Sequence, residues 1–201
     1  MRKYISILLI STGLGVVCCV AWFLPQHHTD YGTVLDVPRT IKPFTLEGTD
    51  LKPFTQNSLS GHWTMMFFGF TSCTSICPTT MMHLAQMINI LHARKVPVIP
   101  RVIMISVDTQ GDTLEKLTKY VTAFNPNFYG ARGDQHTVRQ LANELGIAYA
   151  KFKNDTNHAG VYDIQHSGAV LLFNPHAKLA AFFTSTSNPR LLANNYIQLI
   201  N

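Results

Sequence analysis

Residues 61–87 read GHWTMMFFGFTSCTSICPTTMMHLAQM. From Trp63 to Phe70 the run is almost continuously apolar, the pattern of a strand covered on both faces rather than one with a wet side. From Pro78 to Ala93 the period changes. Met81, Leu84, Ala85, Ile88 and Leu91 fall on one helical stripe. A doubly covered strand that feeds straight into a helix is half of a β-α-β unit, so the domain is expected to be α/β. Cys73 and Cys77 stand at the joint, beyond the C-terminal end of the strand, where open α/β sheets build their sites.

Outward from that joint the alternation continues. RVIMISV at 101–107 is a second buried strand. Residues 112–124 read as a helix with Asp112 at its N-cap, and 135–145 as another stopped by Gly146. Residues 147–152 form a strand. Residues 168–173 and 179–183 form a hairpin around Asn174-Pro175-His176. A helix over 189–200 closes the chain. Upstream, Phe44 to Leu46 is a short strand and Glu47 to Asp50 a turn. The expectation is a layered α/β domain with a mixed central sheet.

The first residues differ in kind. Arg2 and Lys3 precede an uncharged run from Tyr4 to Leu24, which at about 1.5 Å per residue reaches about 31 Å, the thickness of a bilayer core. Trp22 and Phe23 suit its interface, and no small-residue cleavage site follows. Cys18 and Cys19 lie inside the run and read as small apolar residues, since Val17 stands where lipoprotein processing wants a smaller side chain. The expected organisation is an uncleaved membrane anchor at 1–26, a linker at 27–42 and one domain at 43–201. With the basic end held in the cytoplasm, the domain faces the periplasm from a bacterial inner membrane.

The formal net charge is +5. The basic residues are scattered, with no basic helix or aromatic-interleaved stripe, so nucleic acid is not an expected partner. No phosphate loop, dinucleotide fingerprint or Ser-His-Asp arrangement appears.

The chemistry therefore rests on the cysteines. Pro78 suits a first helical turn, which puts Cys77 near the helix N-terminus. The unpaired N–H groups and the dipole there are expected to favour a thiolate. Cysteines four positions apart can close a disulfide or hold one ion between them, and the spacing leaves both open. A metal site needs a third ligand. Thiolates with one imidazole suit copper better than structural zinc, which takes four ligands. Of the nine histidines, His166 sits at the mouth of the strand that starts at Gly168, where it can lie beside the cysteine loop. By spacing alone it reads as a strand cap before it reads as a ligand.

The stretch at 61–87, with RVIMISVDTQGDT at 101–113, YVTAFNPNFYGARG at 120–133 and YDIQHSGAVLLFNP at 162–175, resembles the Sco/SenC family from about residue 40 to the end. That resemblance implies a thioredoxin-like fold. It implies one copper ion held by Cys73, Cys77 and His166. It also implies assembly of the dinuclear copper centre of cytochrome c oxidase, with the copper-bearing subunit as partner and another copper chaperone or a thiol reductase upstream. The alternatives are a Cys73/Cys77 redox pair acting on that subunit's cysteines, and a copper or redox sensor. The family often carries a proline and an acidic residue between the cysteines, where Thr74 and Ser75 stand here, and an acidic residue where Gln165 stands.

Overall fold

The computed structural model describes residues 32–153 and 162–200. The anchor expected at 1–26 lies outside them. Among the described residues no helix is long and apolar enough to cross a membrane.

Strand β4 (Thr64–Gly69) is buried at all six positions, as its unbroken apolar run requires. It pairs parallel with β5 (Arg101–Ser106), Met66 opposite Ile103, and β5 pairs parallel with β6 (Tyr129–Arg132). On the other flank β9 (Val170–Phe173) runs antiparallel to β4, and β10 (Leu179–Phe183) antiparallel to β9. Beyond β6 lie β2 (Thr45–Gly48) and β3 (Pro53–Thr55), both antiparallel additions. The outermost strand on the β10 side is β1 (Gly32–Arg39). The eight-stranded order is β1-β10-β9-β4-β5-β6-β2-β3, a mixed sheet as expected.

Helix α1 (Ile76–Ala93) makes the crossover between β4 and β5, and buries Met81, Leu84, Met87, Ile88 and Leu91. It packs against α4 (Pro189–Ile200), whose Tyr196 is fully buried and donates its hydroxyl to the Val98 carbonyl at 3.1 Å. Helix α2 (Leu114–Phe124) covers β6 with Leu117 and Val121. Helix α3 (Gln135–Glu144) starts on Asp134, whose carboxylate accepts the His136 and Thr137 N–H groups. Gly146 follows it with φ at +72°, the left-handed turn that favours glycine. Met65, Met66, Phe67, Phe68, Phe173 and Phe183 fill the centre.

Three sequence expectations need correction. Gly32–Arg39 is not linker but an edge strand, paired with β10 through Val34–Ala181 and Arg39–Leu179 with a bulge between. Asp36 and Pro38 hid it. Both residues are poor strand formers, but an edge accepts a proline because one side of the strand needs no ladder donor. Asp112 does not cap α2. Thr113 does, its hydroxyl accepting the Lys116 N–H. Residues 149–153 do form a strand, β7 (Tyr149–Lys153), but it stays out of the main sheet. It pairs with β8 (Tyr162–His166), a strand the sequence did not announce, in a separate two-stranded ribbon.

Candidate metal centre

Helix α1 begins at Ile76, two residues before Pro78, with Ser75 as its N-cap residue. Cys77 is thus in the first turn, as expected, and Cys73 is in the loop that leaves β4. The helix end serves a different sulfur from the one expected. The Cys77 backbone N–H donates to Cys73 Sγ at 3.3 Å. The Cys77 side chain turns inward and is fully buried. Its thiol is pushed up from an ordinary value of 9.0, first by burial and then by the neighbouring Cys73 sulfur. The expected low-pKa thiolate at Cys77 is therefore not what the metal-free fold holds. A helix terminus contributes about 0.3–1 kcal/mol near a surface, whereas full desolvation of a charged group shifts a pKa by up to about 3–5 units.

His166 ends β8, in register opposite Tyr149. Its Nδ1 lies 3.0 Å from the Ser167 carbonyl. A carbonyl only accepts, so Nδ1 carries the proton and Nε2 keeps its lone pair. That lone pair faces Cys77 Sγ at 3.0 Å, where the thiol S–H donates to it. Burial holds His166 below its ordinary value of 6.5, with the Ser167 carbonyl acting weakly the other way. Phe67 and Phe70 meet the ring edge to face, with centroids 5.7 and 5.8 Å away. The imidazole is thereby fixed as a neutral ring aimed at sulfur.

The ligand atoms of Cys73, Cys77 and His166 all lie within 4.8 Å of one another, the one group of three such residues among those described. Both cysteines are free thiols. A cleft of about 300 Å³ opens onto Cys73 and His166, lined also by Phe70, Ile76, Ile164 and Gln165, while Cys77 stays buried. Two soft sulfurs and one oriented imidazole nitrogen fit a single thiophilic ion, and copper in particular. The sequence reading named all three residues. It missed what holds them. Gly69 has no side chain because Cys77 Sγ lies 3.0 Å from where its Cβ would stand. Asp112, fully buried, accepts from Thr71 at the root of the cysteine loop. A glycine closing an apolar strand and an acidic residue in a loop carry no local signal for such roles.

The SCO1/SenC family model matches residues 33–201. An SCO2-like protein of Rickettsia prowazekii is 32% identical over 70% of this chain and 67% of its own length. A putative copper-binding protein of Stutzerimonas stutzeri is 30% identical over 82% of each chain. The chain spans less of some other relatives, 63% of a Rickettsia typhi protein and 54% of a mitochondrial SCO1 homologue of Arabidopsis thaliana. Among solved structures, Arabidopsis thaliana ScoI with copper bound superposes with a TM-score of 0.73 at 28% identity, covering 79% of this chain and 96% of the other. The fold is the thioredoxin-like one expected, and the chain belongs to the SCO1/SenC family.

Proposed function

We propose that this chain is a membrane-anchored copper chaperone that holds one copper ion through Cys73, Cys77 and His166 and delivers it to the dinuclear copper centre of a cytochrome c oxidase subunit. The observation that carries the reading is the preformed donor set, three ligand atoms within 4.8 Å of one another, two of them, on Cys73 and His166, from residues lining an open cleft. The copper-bound Arabidopsis relative and the copper-binding description of the Stutzerimonas protein support it. Residues 1–26 are the proposed anchor, with the domain on the periplasmic side of a bacterial inner membrane.

Copper is cargo here, and the chain supplies its cradle. Cys77 and Cys73 give up their protons on binding, because only the thiolate is a metal ligand. His166 needs no proton change, since Nδ1–H is already committed to the Ser167 carbonyl. The cleft leaves Cys73 partly exposed, so an incoming thiol of the client can replace it first and draw the ion out by ligand exchange.

The test is a competition titration of the reduced full chain in detergent micelles against a cuprous chelator. One equivalent of copper is expected, weakened at least about tenfold, or about 1.4 kcal/mol, in His166→Ala and lost in Cys77→Ser. Absence of stoichiometric binding, or binding indifferent to His166, overturns the reading. The free, partly exposed Cys73 beside Cys77 favours a second reading, a thiol–disulfide reductant of the client's cysteines. In that case His166→Ala loses copper transfer and keeps thiol exchange.

A further inference from the structure

Behind the two thiols lies a carboxylate to which the copper reading gives no task. Asp112 is 1% exposed. The Thr71 backbone N–H donates to its Oδ2 at 3.1 Å, and the Thr71 hydroxyl donates to Oδ1. The Ser106 hydroxyl donates to Oδ2 at 2.6 Å. Ser106 Oγ itself accepts the Asp108 N–H, so its single hydrogen is directed at Asp112. Every neighbour is a donor, and the side chain they surround is the acceptor-only, ionised form.

Among the described residues no cation is paired with it; Lys119–Glu115 and Lys151–Asp108 lie elsewhere. A buried anion held only by neutral donors is costly to keep, and its position shows what it does. Ser106 is the last residue of β5. Thr71 stands two residues beyond the end of β4 and two before Cys73. The Cys73 N–H in turn donates to the Phe70 carbonyl at 3.3 Å. The carboxylate thus ties together the C-terminal ends of two parallel strands at the point where the cysteine loop departs.

We propose that Asp112 is a positioning residue of the metal centre: it staples the root of the cysteine loop to β5, and its fixed negative charge favours the cupric over the cuprous form of the bound ion. The second half rests on the copper reading; the first does not. Two thiolates and a neutral imidazole make a net neutral group around Cu(II). One added electron gives Cu(I) and leaves the group singly negative. A buried anion nearby opposes that electron in a medium that screens poorly.

The test uses the full chain, wild type and two variants. Asp112→Asn keeps the shape and an acceptor for the Thr71 N–H but removes the charge. Thr71→Val keeps the charge and removes one strut. Copper-loaded samples are titrated with redox mediators while the cupric–thiolate absorption is followed. Metal-free reduced samples are followed by amide hydrogen exchange at 71–77. In Asp112→Asn the ratio of cuprous to cupric affinity is expected to rise at least about tenfold, which is an upward shift of about 59 mV for one electron. In Thr71→Val that ratio stays within about twofold while exchange at 71–77 speeds up about tenfold or more. Should Asp112→Asn not fold, Asp112→Ser removes the charge, leaves room for a water, and is read the same way. A potential unmoved by loss of the charge overturns the electrostatic half, and unchanged exchange in Thr71→Val overturns the staple. A wild type that binds no copper retires the copper reading and the electrostatic half with it, and the exchange measurement still decides the staple.

Discussion

At the scale of single residues, the site is set by what surrounds the ligands as much as by the ligands. Gly69 is the clearest case. A Cβ built there would stand 2.7 Å from Phe67 Cε1, 3.0 Å from Cys77 Sγ and 3.2 Å from Met104 Cε. Phe67 and Met104 are fully buried and have nowhere to retreat. Gly69→Ala is therefore expected to cost about 1–3 kcal/mol by overpacking, read from the urea midpoint, and to weaken copper binding by displacing the Cys77 sulfur. A variant with wild-type stability and wild-type affinity would show that the sulfur has room to move. The three ligands were legible in the sequence to different degrees. Cys73 and Cys77 announced themselves by spacing and by their place between an apolar strand and a helix. His166 did not, because its approach to sulfur comes from pairing with Tyr149, far away in the sequence, and only the family resemblance singled it out. The thiolate expected of Cys77 failed because the sequence showed a helix terminus and could not show burial.

At the scale of elements, the strands buried on both faces were easy to read, since β4 and β5 are apolar between their end residues Thr64, Arg101 and Ser106. The edges were not. β1 alternates poorly and contains Pro38, and it becomes a strand only because β10 offers it a ladder. The β7–β8 ribbon matters most for the site, because it carries His166. It is tied to the body of the domain by side chains. Lys151 Nζ donates to Gln110 Oε1 at 3.0 Å and lies 3.9 Å from the Asp108 carboxylate, and the Arg139 guanidinium lies 5.7 Å from the centre of the Tyr149 ring. Gln110 and Asp108 follow β5 on the loop that leads to α2, so Lys151 links the ribbon to the cysteine side of the sheet. Lys151→Met keeps most of the stem and removes the charge. Faster amide exchange at 162–166 is expected, with copper affinity reduced about threefold to tenfold, equivalent to about 0.6–1.4 kcal/mol of lost prepositioning. Unchanged exchange there would mean that the ribbon is held by other contacts.

At the scale of the whole molecule, the site couples metal-free stability to pH in two directions. Cys77 has a folded value raised above its ordinary 9.0. Its contribution is fully present below that pH and is lost as pH rises past it, because the unfolded chain then releases a proton that the folded chain keeps. Tyr120, Tyr129 and Tyr196 are raised in the same sense, chiefly by burial, and add to the alkaline loss. His166 has a folded value held below 6.5. Its contribution is present above 6.5 and is lost as pH falls through the lower folded value, because the unfolded imidazole takes up a proton first. Urea midpoints of the reduced, metal-free chain are expected to fall on both flanks. Cys77→Ser should flatten the first part of the alkaline limb, between about pH 9 and 10 where the thiol titrates before the phenols, and leave the acid limb in place. A Cys77→Ser profile that parallels the wild type would show that the buried thiol does not govern that limb.

The three candidate ligands come from two bodies of unequal size: both sulfurs from the junction of the large sheet with α1, and the imidazole from a ribbon of two five-residue strands. Under the proposed chaperone role, release requires only that the smaller body lift. The barrier to release is then a matter of a few side-chain ties, while resistance to unfolding resides in the eight-stranded sheet. Mutation can tune how quickly cargo departs without touching how firmly the carrier stands.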